Sequence, residues 1–182
     1  MKEGHTLGYY VSITDALWRI PPENIEAAYR AACALNDRDD LKSGGHYVKG
    51  YPNGRAPRPE GYDYHPGAWF SWVDAAYPDK CTDLVELLTH WHFTARVSEP
   101  GFYAGSVWIE GYETKTGDEE YLLAALAPFT DDDAFLEWRG EDGELWRHEV
   151  RDGVLHVLEA SITWTHATPA ALKYYRGHGV EV

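Results

Sequence analysis

Over residues 9–20 (YYVSITDALWRI), Tyr9, Val11 and Ile13 fall on one side of an extended chain before the alternation blurs around Asp15. This predicts a first strand interrupted by a bulge or bend. Pro21-Pro22 ends it and opens a helix whose apolar positions Ile25, Ala28, Tyr29 and Ala32 recur at helical spacing, ending near Leu35-Asn36. Residues 36–66 keep neither period and hold five glycines and four prolines, so they read as one long loop. The segment WFSWV (69–73) reads as a short buried strand. A helix over 82–91 follows, with Leu84, Leu87, Leu88 and Trp91 on one face and Asp79 or Thr82 available as its cap. Residues 93–97 and 102–112 then form a hairpin across Glu99-Pro100-Gly101. Residues 118–127 form a helix that starts on three acids and stops at Pro128.

Residues 135–164 (FLEWRGEDGELWRHEVRDGVLHVLEASITW) predict three antiparallel strands, because Asp142-Gly143 and Asp152-Gly153 supply the positive φ of two-residue hairpin turns. If both turns hold two residues, Trp138 lies opposite Arg147, which lies opposite Leu158. The third strand decides the buried side: Leu136, Trp138, Leu158, Ile162 and Trp164 form the core face. Glu137, Arg139, Trp146, His148 and Glu159 then share the partly solvated face. The whole chain reads as an α+β domain spanning residues 1–182. It is a largely antiparallel sheet with two or three helices packed on one face, a C-terminal three-strand meander, and a short tail at 165–182.

Composition changes this picture in one respect. Thirty acidic against sixteen basic residues give a formal charge of −14, which disfavours direct contact with nucleic acid or acidic membranes and favours a protein with a basic surface. The acids cluster at Asp37, Asp39 and Asp40; Asp118, Glu119 and Glu120; Asp131, Asp132 and Asp133; and Glu141, Asp142 and Glu144. All fall in predicted loops, turns or helix starts and are expected at the surface. The last two clusters, Asp131, Asp132, Asp133, Glu141, Asp142 and Glu144, are the candidate partner-binding residues. No apolar run reaches the length of a membrane span, no leader pattern opens the chain, and Cys33 and Cys81 fit two reduced thiols, so a cytoplasmic protein is expected.

No phosphate-cradling, dinucleotide, serine-elbow or metal-ligand spacing occurs, and no cofactor or metal is expected. His90 and His92 straddle a helix end, where residues two apart diverge. The alternative chemistry lies on the meander. Glu137 opposite His148, with Arg139, Trp146 and Glu159 beside them, would place an acid, an imidazole and a stacking ring together in a small enzyme or ligand-binding site.

The opening GYYVSIT with Pro-Pro-Glu, the WFSWV segment and the FLEWRGEDGELWRHEVRDG meander together resemble a family of small uncharacterised acidic proteins of actinobacteria and their phages. The resemblance implies a phage or mobile-element setting, in which a small acidic protein acts by binding and inhibiting a host or defence protein. It implies no catalytic residues.

Overall fold

The computed structural model describes residues 9–45 and 68–161. In chain order it contains β1 (Tyr10–Ile20), α1 (Ile25–Ala34), β2 (Gly44–Gly45), β3 (Ala68–Trp69), α2 (Tyr77–Lys80), α3 (Leu84–His90), β4 (Phe93–Val97), β5 (Val107–Lys115), α4 (Glu119–Leu126), β6 (Phe135–Gly140), β7 (Leu145–Arg151) and β8 (Val154–Glu159). Six of the strands form one antiparallel sheet in the order β4-β5-β1-β6-β7-β8. The fold is α+β, as its pattern predicts. β1 lies inside the sheet, paired with β5 on one side and β6 on the other, and its register with β6 slips between Ile13 and Asp15, leaving Thr14 as the extra residue of the predicted bulge.

Among the described residues, helices cover one sheet face and leave the other open. Val11, Trp18, Ile20, Ile109, Tyr112, Leu136, Trp138 and Val150 point into a core closed by Ala28 and Ala32 of α1, Leu84, Leu87 and Leu88 of α3, and Leu122, Leu123 and Leu126 of α4. Three tryptophans, Trp18, Trp91 and Trp138, are fully buried there. Trp138 meets Trp146 in a parallel stack at 5.9 Å and Phe93, Tyr112 and His148 edge-on. Rings of this size bury most of the apolar area available to a small core.

The meander forms with one change of register. The second turn is the predicted two-residue type, with Asp152 at φ 52° and Gly153 at φ 70°, and Arg147 lies opposite Leu158. The first turn holds three residues, Glu141, Asp142 and Gly143. The Gly140 amide donates to Glu144 and only Gly143 has a positive φ, so Trp138 pairs with Trp146 and Arg147 with Glu137. Type I geometry followed by a left-handed glycine is the other common solution for an Asp-Gly hairpin, and alternation cannot distinguish it from the two-residue form. The slip turns β7 over: Trp146, His148 and Val150 join Leu136 and Trp138 inside, and Leu158 lies outside. Ile162 and Trp164 lie outside the described residues, as do most of the 36–66 loop and the tail.

Three smaller expectations also change. WFSWV contributes only Trp69 to a strand and turns sharply at Trp72, φ 65°, although Phe70 and Val73 are buried as expected. The cap of α3 is Asp83, whose carboxylate accepts the Glu86 amide at 2.9 Å while Glu86 accepts the Thr82 amide and hydroxyl. The second strand of the hairpin starts at Val107, and residues 98–106 form a looped connection.

Candidate functional site: the uncovered sheet face

Alternation along β1, β5, β6, β7 and β8 sends every residue that does not enter the core onto the opposite face. It carries Tyr10, Leu17, Arg19, Trp108, Phe135, Glu137, Arg139, Arg147, Glu149 and Arg151. In a chain with almost twice as many acids as bases, this face gathers Arg19, Arg96, Arg139, Arg147 and Arg151. Four of them meet carboxylates. Arg19 makes a two-pronged contact with Asp131, at 2.5 and 2.8 Å. Arg96 pairs with Glu110, Arg147 with Glu137 and Glu149, and Arg151 with Glu149. The Arg19 guanidinium lies 4.6 Å from the Tyr103 ring centre and that of Arg147 lies 4.3 Å from Phe135. Arg19 and Arg147 thus each sit between a carboxylate and an aromatic ring.

These contacts tune the acids. The Arg151 and Arg147 guanidiniums hold the Glu149 carboxyl below the usual glutamate range. Arg139 is the exception: among the described residues it makes no ion pair, and it borders a hollow of about 290 Å³ with Tyr10, Ser12 and Glu113. A second hollow of about 290 Å³ lies where the β1 bulge meets β6, β7 and β8, lined by Thr14, Glu137, Leu145, Arg147, Leu158 and Ala160 among others. A third, about 200 Å³, is walled by Leu17, Arg19, Tyr103 and Trp108 and rimmed by Asp131, Asp132 and Asp133.

The predicted partner-binding acids do not form one patch. Asp131, Asp132 and Asp133 precede β6, and Glu141, Asp142 and Glu144 follow it, so the two groups are separated by the six residues of β6, roughly 20 Å. Three of the six are engaged within the fold. Asp131 holds Arg19, Asp132 accepts the Asp152 amide at 2.7 Å, and Asp142 accepts the Tyr9 hydroxyl and the Glu144 amide. The Tyr9 contact holds the Asp142 carboxyl below its usual range and pushes the phenol up to about 12. Asp133, Glu141 and Glu144 remain without a side-chain partner among the described residues.

The predicted acid–imidazole pair is not assembled. The one-residue slip puts Glu137 opposite Arg147 on the outer face and His148 opposite Leu136 on the inner one. His148 is buried, its Nε2 lies 3.3 Å from Glu120 Oε1, and its Nδ1 has no partner. The histidine contact holds the Glu120 carboxyl below its usual range. Trp146 and Glu159 go to the inner side with His148, while Arg139 stays outside with Glu137.

The Asp118, Glu119 and Glu120 cluster is only partly at the surface, with Glu120 exposed. Asp118 and Glu119 are buried. Asp118 Oδ2 accepts the Ser43 amide and hydroxyl, each at 3.0 Å, and the Ser71 amide at 2.8 Å. That carboxylate therefore ties both flanks of the β2–β3 ribbon to the start of α4. Serine amides far apart in sequence give no local sign that they converge on one aspartate.

His92 does diverge from His90: it turns at φ 66° and its Nε2 lies 2.6 Å from the Trp72 carbonyl oxygen. Among the described residues, no three histidine, cysteine or acidic side chains are grouped to hold a metal. No helix of the described residues is long and apolar enough to cross a membrane. The chain matches no known family model, and no curated protein and no solved structure is similar to it.

Proposed function

We propose that the chain is a non-enzymatic binding protein that docks on another protein through the uncovered face of its sheet. One observation carries this reading: Leu17, Trp108 and Phe135 stand on that face between arginine–carboxylate pairs, with Tyr103 of the 98–106 connection beside them and no helix of the described residues over them. Aromatic and arginine side chains dominate the centres of protein interfaces, and preformed ion pairs lower the ordering cost of the arginines on binding. Four paired arginines offer little net positive charge to a phosphate backbone, so this face suits a protein better than nucleic acid. The unpaired acids at the two ends of β6, Asp133, Glu141 and Glu144, suit a partner whose basic groups flank an apolar centre, and speed its approach. In the phage or mobile-element setting that the sequence resemblance implies, that partner is a host or defence protein and the outcome is inhibition.

The test is affinity capture from the native host with the wild-type chain and with Trp108→Ala and Arg147→Glu, both folded by circular dichroism. The expected result is a partner retained by the wild type and lost by both variants. A partner that both variants bind as tightly as the wild type sinks the reading.

A second reading is favoured by the hollow at Glu137, Arg147 and Leu158. At about 290 Å³ it falls just below the usual size range of small-molecule sites and has one ion pair at its wall. A small anion or polar ring seated there would raise the melting temperature of the wild type and leave that of Arg147→Ala unchanged.

A further inference from the structure

The two edges of the sheet are built differently. β4, at one edge, carries Arg96 paired to Glu110 and a register shift between Thr94 and Ala95, both of which discourage another strand from adding to it. β8, at the other edge, has neither. Its pairing with β7 runs unbroken from Trp146–Glu159 to Arg151–Val154, and its sequence VLHVLE holds no lysine, proline or glycine. Its apolar side chains are open on both faces: Val154 is 55% exposed, Val157 52% and Leu158 37%.

The hydrogen-bonding phase of this edge follows from the turn before it. A two-residue loop makes Arg151 and Val154 a hydrogen-bonded pair, and the Ala160 amide reaching the Leu145 carbonyl at 3.2 Å continues the same phase. The backbone groups of Val154, His156 and Leu158 therefore turn toward β7. Those of Leu155 and Val157 turn outward, and among the described residues no strand takes them.

We propose that β8 is the pairing edge of a symmetric dimer, in which β8 of a second copy of this chain adds antiparallel and extends the sheet to twelve strands across a twofold axis at His156. The segment Val154-Leu155-His156-Val157-Leu158 reads almost the same in both directions, and this selects both the occupant and the register. With His156 on the axis, Leu155 meets Val157 of the second copy as a hydrogen-bonded pair, Val154 meets Leu158, and the two imidazoles face each other in the closer, non-hydrogen-bonded spacing. Every apolar side chain meets an apolar one on both faces. Moving the axis to Val157 would set His156 against Leu158 and Leu155 against Glu159. The contact is small beside the roughly 1,200–2,000 Å² of a stable interface, so the dimer is weak and concentration-dependent. This assembly does not depend on the docking role of the outer face.

Sedimentation velocity on the full chain up to ~1 mM tests it. The wild type should pass from the 20.6 kDa monomer to twice that mass with rising concentration. Val157→Lys should remain monomeric with an unchanged circular dichroism spectrum, since its side chain is exposed. Mild oxidation of His156→Cys should give a covalent dimer that the wild type and Val154→Cys do not give. The proposal is overturned by a wild type that stays monomeric throughout, by a dimer that survives Val157→Lys, or by equal cross-linking at positions 154 and 156.

Discussion

Trp138 shows how much one side chain can decide. It is fully buried, stacked on Trp146 and met edge-on by Phe93, Tyr112 and His148, so its removal leaves a void lined by rings that cannot collapse into it. Trp138→Ala should destabilise the protein by about 3–5 kcal/mol, read from the urea midpoint at constant slope. Its indole N–H is buried with no acceptor, so Trp138→Phe removes an unmet donor along with the extra volume and should cost clearly less. The inward position of Trp138 was expected, but through a register that put Leu158 on the same face, and the three-residue turn sends Leu158 to the other one. The inward position of His148 was not expected, because one extra turn residue reverses a whole strand.

At the scale of elements, what could be read was whatever local chemistry dictates. Proline just before α1, acids at the start of α4, the bulge in β1 and the Asp152-Gly153 turn name their own conformations. What escaped depended on distant partners: the β2–β3 ribbon held by Asp118, the sharp turn at Trp72 and the sheet order that places β1 between β5 and β6. The same gap explains the candidate site. The acids flanking β6 were visible, but that Asp131 would be taken by Arg19 could not be seen from residues 112 positions apart. Two changes test the local devices. Gly143 has φ 91° and a Cβ there would meet nothing within 4 Å, so Gly143→Ala isolates backbone strain and should cost about 1–2 kcal/mol. Asp83→Ala removes the cap of α3 and should cost about 1 kcal/mol, within the range of measured caps. Both are checked by equilibrium denaturation.

Over the whole molecule, two electrostatic effects oppose each other as pH falls. The formal charge of −14 destabilises the compact state by self-repulsion, and protonating exposed carboxylates relieves it toward the isoelectric point near 4.9. Against this, Glu149 beside Arg151 and Arg147, Glu86 at the Thr82 amide and hydroxyl, and Asp74 beside Lys80 all have carboxyls held below their ordinary values of 4.5 for glutamate and 3.8 for aspartate. A depressed folded-state value means the unfolded chain takes up the proton first. These groups therefore stabilise fully above the ordinary values and lose their contribution as pH drops through the lower folded ones. Stability should hold or rise slightly from about pH 7 to about pH 5 and then fall below about pH 4. Added salt at pH 7 should raise it by screening the repulsion, more than it weakens the exposed ion pairs. Urea midpoints across this range check both statements. A midpoint that climbs steadily to pH 3 would mean that repulsion, and not the arginine–carboxylate pairing of the outer face, governs the acid limb.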